Sequence, residues 1–245
     1  MRTSVPGRLR QHQDEIRRRD PDVQSIRYYR STWEGYLSDD SDLAELTRRF
    51  PAEVSRADLQ ALSREAHADP ARVRLLFLAT MVWGYGVGGR GPWRTREMLA
   101  SLALKKTRQQ DVLTEALAHI RDGDIHSAYE VFDVHQCGPA FAAKFFYAAG
   151  LGAGVRPLPL VLDRQVACSL RELQRDGDLV LAEWARLDRG GYILPHVDGY
   201  VRYVNAVNGW AEEMNCRPDA IEMFLFDPPA SFWAEVDAET DRVTT

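Results

Sequence analysis

Apolar residues recur every three or four positions along most of this chain. Leu59, Leu62 and Ala66 form one such series, Val73, Leu76, Phe77 and Met81 a second, and Val112, Leu113, Leu117 and Ile120 a third. That spacing lines up one face of an α-helix. Start signals accompany it. Ser55 precedes the first series with Asp58 three residues on, Asp69-Pro70 opens the second, and Thr95 is placed to open a helix holding Met98 and Leu99. Residues 199–210 read as a further helix capped by Asp198, with Tyr200, Tyr203 and Val207 on one side. Period-two alternation is scarce, and residues 25–29 and 157–162 are its best examples. The pattern therefore predicts an all-α or nearly all-α fold. No repeat or low-complexity segment interrupts it.

Glycine marks two stretches, residues 84–92 and 150–154, the second followed by Pro157 and Pro159. Both read as loops. In the first, closely spaced glycines could let backbone N–H groups approach a phosphate between Arg90 and Arg94. Its glycine spacing matches no phosphate-loop pattern and no Lys-Ser/Thr follows, so an interhelical turn competes with that reading.

Composition narrows the class. The 245 residues are 45% hydrophobic and 27% charged, enough for one large domain or two small lobes. No run of about 18 apolar residues occurs and the first residues lack a secretion signal, so a cytoplasmic protein without a membrane partner is expected. Cys137, Cys168 and Cys216 are scattered, with no Cys-x-x-Cys spacing, and read as buried or half-buried thiols rather than a disulfide framework or metal site. The net charge of −5 argues against holding nucleic acid by bulk electrostatics. Local basic clusters remain at residues 8–19, at Arg90, Arg94 and Arg96, and at Lys105, Lys106 and Arg108. Each, taken alone, reads first as a solvated helix face.

The chemistry concentrates between residues 124 and 172. A helix from about Ile125 meets a turn at residues 135–138, and a second helix starts at Pro139, a helix-hairpin-helix. Proline suits the first helical position and glycine the tight turn, so the second helix presents unpaired N–H groups as an anion site. Within that helix Lys144 stands among Phe141, Ala142, Ala143, Phe145, Phe146, Tyr147 and Ala148. A lysine there lies at a cleft edge or snorkels past its neighbours. A nucleophilic amine must be neutral, and apolar surroundings favour the neutral form. Downstream, an extended run from Pro157 ends on Asp163, which reads as the cap of a further helix.

The order of hairpin, lysine helix, glycine/proline stretch, Pro-x-x-x-x-x-Asp and helix resembles the helix-hairpin-helix DNA glycosylase superfamily. The superfamily's usual lysine position, two residues past the last hairpin glycine, is held here by Ala140, and Lys144 lies one turn further, roughly 6 Å along the helix. The Lys-Phe-Phe-Tyr-Ala run is more similar to archaeal-type 8-oxoguanine glycosylases and a related bacterial group. The resemblance implies a two-lobed helical domain over residues 1–245 with a shared cleft, acting as a monomer on double-stranded DNA that contains a modified base. It implies Lys144 and Asp163 as the catalytic pair, with His135, Gly138, Arg90, Arg94 and Arg164 on the DNA. Trp33, Trp83, Gln165 and Trp210 are its candidates for the base pocket. No cofactor is required, and a structural monovalent cation at the hairpin is compatible with the pattern. The expected reaction is excision of an oxidised purine such as 8-oxoguanine, with strand cleavage through a lysine Schiff base. The alternatives are a glycosylase for hypermodified phage bases in anti-phage defence and a non-catalytic hairpin DNA-binding protein.

Overall fold

A computed structural model describes residues 4–104, 109–175, 186–187, 193–194 and 197–234. The fold is nearly all-α. In chain order its helices are α1 (Gly7–Gln11), α2 (Gln13–Arg18), α3 (Arg30–Leu37), α4 (Ser41–Arg49), α5 (Arg56–Ala68), α6 (Val73–Tyr85) and α7 (Gly91–Leu104). There follow α8 (Gln109–Arg121), α9 (Ile125–Val131), α10 (Pro139–Ala153), α11 (Arg164–Arg175), α12 (Val197–Met214), α13 (Pro218–Phe226) and α14 (Ala230–Ala234). Strands β1 (Ser25–Arg27) and β2 (Glu53–Ser55) pair antiparallel, as do β3 (Arg186–Leu187) and β4 (Ile193–Leu194). The chain divides into two compact units, one of Met1–Pro21 with Leu162–Thr245 and the other of Asp22–Val161.

The Asp22–Val161 unit is built around α6 and α10. Both are apolar on every side, and Leu75 to Trp83 and Ala142 to Leu151 are continuously buried, as suits helices enclosed by others. Helix α5 packs along α10 through small residues. A Cβ on Gly152 would stand 2.5 Å from Ser63 Cβ and 2.6 Å from the Arg64 backbone nitrogen. On the α5 face formed by Gln60, Ser63 and His67, Gln60 Nε2 donates to the Leu151 carbonyl (3.3 Å). Ser63 Oγ donates to Ala149 O (2.8 Å), which His67 Nε2 also reaches at 2.9 Å. The Gln60 contact supplies a partner to Leu151 O, one of the last four carbonyls of α10, which lack a full set of partners within the helix. Gly154, at φ +64°, then ends the helix in the left-handed conformation and donates to Gly150 O (3.1 Å).

In the other unit the amphipathic α11 buries Val166, Ala167, Leu170 and Leu173, and it packs on α13. Tyr200, Tyr203 and Val207 of α12 are buried together. The basic N-terminal cluster is used internally. Arg10 pairs with Glu213, Arg17 Nε donates to Met214 O (2.8 Å), and Arg19 donates to Met223 O (3.0 Å) and Asp227 O (2.9 Å).

Several boundaries differ from the sequence reading. Residues 157–162 form no strand with any other segment among the described residues, as Pro157 and Pro159 lack the N–H a ladder needs. Residues 150–153 are helical, not loop, and Gly150 is there because a Cβ would meet Pro159 Cδ at 2.7 Å. Helix α7 starts at Gly91, so Thr95 lies inside it rather than opening it. Asp198 sits in the first turn of α12, not at its cap. Ser55 does form the expected capping box with Asp58. Lys105, Lys106 and Arg108 lie outside the described residues.

Candidate active site

The hairpin is set by its aromatic residues. Phe132, just after α9, stacks on Phe145 (5.4 Å between ring centroids) and meets Phe146 edge-on (5.1 Å), while Tyr129 lies 5.9 Å from Phe146. These contacts fix α9 against α10 across the turn. The left-handed residue of that turn is Gln136, at φ +62°. Gly138 is instead the extended N-cap of α10, and a Cβ there would meet nothing within 4 Å. Its role is therefore openness in front of the helix rather than the tight turn itself. Phe141 and Ala142 both donate to the Gly138 carbonyl (2.9 and 3.0 Å), and Pro139 occupies the first helical position. The helix end presents its positive pole outward beside the exposed His135 and Gly138.

Lys144 lies one turn further along α10 and is only 8% exposed. Its neighbourhood is cut to fit. At Gly84, near the end of α6, a Cβ would come 2.9 Å from Phe141 Cε1 and 3.0 Å from Lys144 Cδ. The absent side chain is the space the lysine stem occupies. Lys144 Nζ lies 5.8 Å from the centroid of the Phe141 ring, and that ring stacks on Tyr85 at 4.0 Å. The gap at Gly84 and the Phe141 ring together hold the lysine side chain in place.

Arg94, in the first turns of α7, joins this group. Burial raises the Tyr85 phenol and pushes the Cys137 thiol up to about 12, and in each case the Arg94 cation opposes the shift. The guanidinium thus lies near both Tyr85 and the cysteine of the hairpin turn. Beside Gly84 in sequence, Trp83 lies 6.3 Å from Tyr147 between ring centroids. The buried Arg56 lies over both rings, 5.3 and 4.7 Å from their centroids, and bonds Gln24 through Nε.

Asp163 is the second residue of the Leu162–Thr245 segment. Its Oδ1 accepts from the N–H groups of Gln165 (3.1 Å) and Val166 (3.3 Å), which makes it the N-cap of α11. Arg164 and Gln165 follow it, both exposed. A cation in the first helical turn is opposed by the helix dipole, so Arg164 is not placed there for helix stability.

Of the residues singled out in the sequence, Lys144, His135, Gly138, Arg94, Arg90 and Trp83 share the Asp22–Val161 unit, and the first four of these with Trp83 are linked through α6, α7 and α10. Trp33, at 1% exposure, fills the core of the same unit, and Trp210, at 0%, that of the other. A stacking platform must present a ring face, which neither offers. The glycines of residues 84–92 form no phosphate cradle. Gly88 N–H is bonded to Tyr85 O and Gly91 N–H to Gly88 O, both at 3.0 Å.

A buried lysine on the second helix of a hairpin, followed by an aspartate-capped helix, is the arrangement to compare with known proteins. A family model described as "OGG: Putative 8-oxoguanine DNA glycosylase OGG-like protein" matches residues 19–226. The chain belongs to this family of DNA glycosylases. No curated protein and no solved structure matches it. The matched span of the glycosylase contains the hairpin, Lys144 and Asp163. Sequence reasoning missed Gly84, Tyr85 and Arg56 as neighbours of this region. Phe141 was within its reach, since a residue three positions before Lys144 on a helix must share its face. Among the described residues, no helix of the glycosylase is long and apolar enough to cross a membrane.

Proposed function

We propose that this glycosylase excises 8-oxoguanine or a closely related oxidised purine from duplex DNA, with Lys144 as nucleophile and Asp163 as the supporting carboxylate. The observation that carries the reading is the near-complete burial of Lys144 on an apolar helix, in a slot kept open by Gly84. A lysine so enclosed is held in one place by its surroundings, and a positioned side-chain amine is what attack on C1′ requires.

The steps follow from the chemistry of the bond. A paired base is shielded inside the duplex, so the nucleotide leaves the stack, at a cost of a few kcal/mol. The N-terminus of α10 and Arg94 hold the phosphates during this step. As the glycosidic bond breaks, its electron pair departs with the base and C1′ gains positive charge. The Asp163 carboxylate offsets that charge, as carboxylates do in glycoside hydrolysis. The Lys144 amine then forms a bond to C1′. Loss of its proton and opening of the sugar ring give a Schiff base, from which β-elimination expels the 3′-phosphate. Hydrolysis of the same Schiff base returns an abasic site. Asp163 keeps its capping bonds throughout, which hold the carboxylate in one orientation. The enzyme works as a monomer in the cytoplasm, where its substrate is chromosomal or invading DNA.

The test is base release from a panel of duplexes carrying oxidised, alkylated, deaminated or hypermodified bases. The expected result is release from 8-oxoguanine duplex above all others. Preferential release of an alkylated or hypermodified base would replace the substrate while keeping the site.

A further inference from the structure

Helix α6 ends on Tyr85, and this residue is held more firmly than a half-buried side chain at a helix end requires. Gly86 turns the chain at φ +54°, where a Cβ would meet Ile26 Cγ2 at 2.8 Å. The Gly88 N–H then donates to the Tyr85 carbonyl (3.0 Å). A Cβ on Gly91 would stand 2.5 Å from Tyr85 Cβ and 2.6 Å from its Cγ, so the start of α7 lies directly against the side chain. The Tyr85 ring is stacked on Phe141, with centroids 4.0 Å apart and planes 24° from parallel, and its phenol lies near the Arg94 cation.

Phe141 is itself half-buried and stands three positions before Lys144 on α10, so the two side chains share a face. Its Cε1 lies 2.9 Å from the point a Gly84 Cβ would occupy, and Lys144 Cδ lies 3.0 Å from the same point. Ring and lysine stem thus flank one gap, and a turn of the ring would free room beside the stem. The Tyr85 stack opposes that turn.

We propose that Tyr85 is a positioning residue for base excision, whose ring braces Phe141 and so keeps the Lys144 amine where it meets C1′. The inference rests on the reading of Lys144 as nucleophile. Tyr85 acts only through Phe141, and the stacked face rather than the hydroxyl is the part used. Such bracing matters because a misplacement of roughly one ångström costs a reacting group much of its rate.

The test uses the full chain and a duplex with a single abasic site, which offers C1′ as an aldehyde whatever base the enzyme prefers. The Lys144 amine adds to that carbon and water leaves, giving an imine that cyanoborohydride reduces to a stable amine by hydride transfer to C1′. The single-turnover rate of this trapping and the DNA affinity are measured separately. Tyr85→Leu should slow trapping about tenfold with affinity and thermal midpoint unchanged, and Tyr85→Phe should restore the wild-type rate. Tyr85→Met, apolar but without a ring face, repeats the test should Tyr85→Leu fail to fold. Phe141→Leu should slow trapping likewise, and its combination with Tyr85→Leu should slow it no further, because the two residues act as one unit. A wild-type rate in Tyr85→Leu, a loss that appears in affinity instead, or a full second loss in the double variant overturns the inference and leaves the glycosylase reading intact. A wild type that forms no adduct at Lys144 overturns both.

Discussion

At the scale of single residues the account turns on glycines. Two of them lie against neighbouring helices and yet do different jobs. Gly152 meets Ser63 and the Arg64 backbone, where α5 cannot retreat. Gly152→Ala should therefore destabilise the protein by about 2 kcal/mol, the usual cost of overpacking a tight core contact, as read from chemical denaturation. Gly84 meets the Phe141 ring and the Lys144 stem, which can swing aside. Gly84→Ala should leave stability near the wild-type value, since added helix propensity of roughly 1 kcal/mol offsets the crowding. Base release should fall at least tenfold as the amine is displaced, because small misplacements of reacting groups carry large rate penalties. Equal losses of stability in both variants, with activity retained in Gly84→Ala, would show that the slot around Lys144 has no catalytic meaning.

Among the elements, α4 and α5 are joined by a charge network that gives the fold a defined acid response. Arg72 makes a two-pronged pair with Glu45, and Arg49 does the same with Glu65 (2.9 and 2.6 Å). Each arginine also reaches the other carboxylate at 3.4 Å. The Arg72 bonds hold Glu45 below the usual carboxylate range, and the Arg49 bonds do so for Glu65. A carboxyl depressed in the folded state stabilises fully above its unfolded value, about 4.5, and loses that contribution as pH falls through the folded one. A Glu45→Gln, Glu65→Gln double variant should melt below the wild type at pH 7. The two melting curves should converge as pH drops below about 4.5; a gap that is constant with pH would place the effect outside these ion pairs.

Element boundaries also show how far the sequence could be read. Ser55 and the hairpin were legible because capping and the Gly-Pro start are local signals. The helical state of residues 150–153 was not, because Gly150 and Gly152 answer to Pro159 and Ser63, contacts that no window of sequence contains. The same holds for the start of α7 at Gly91, whose missing side chain is demanded by Tyr85. Strand β2 went unseen since three residues are too few to show alternation. Of the two proposed catalytic residues, Lys144 stood out as a cation in an apolar run and Asp163 as a cap, whereas Gly84 and Arg56 became visible only once α6, α5 and α10 were packed together.

For the whole molecule, a net charge of −5 sits beside a DNA-directed activity, and the structure separates the arginines that bear on it. Arg17 and Arg19 donate to backbone carbonyls of their own unit. Their replacement by alanine should lower the thermal midpoint and leave the salt dependence of DNA binding unchanged, because no phosphate contact is lost. A reduced salt slope in those variants would extend the DNA surface to the N-terminal helices. The central claim is more chemical, and borohydride reduction of the enzyme on 8-oxoguanine duplex tests it most directly. A covalent protein–DNA adduct should form, map to Lys144, and be absent from Lys144→Ala, while Asp163→Asn should slow adduct formation by orders of magnitude. Undiminished base release by Lys144→Ala, or an adduct at another residue, would contradict the assignment of Lys144 as the nucleophile.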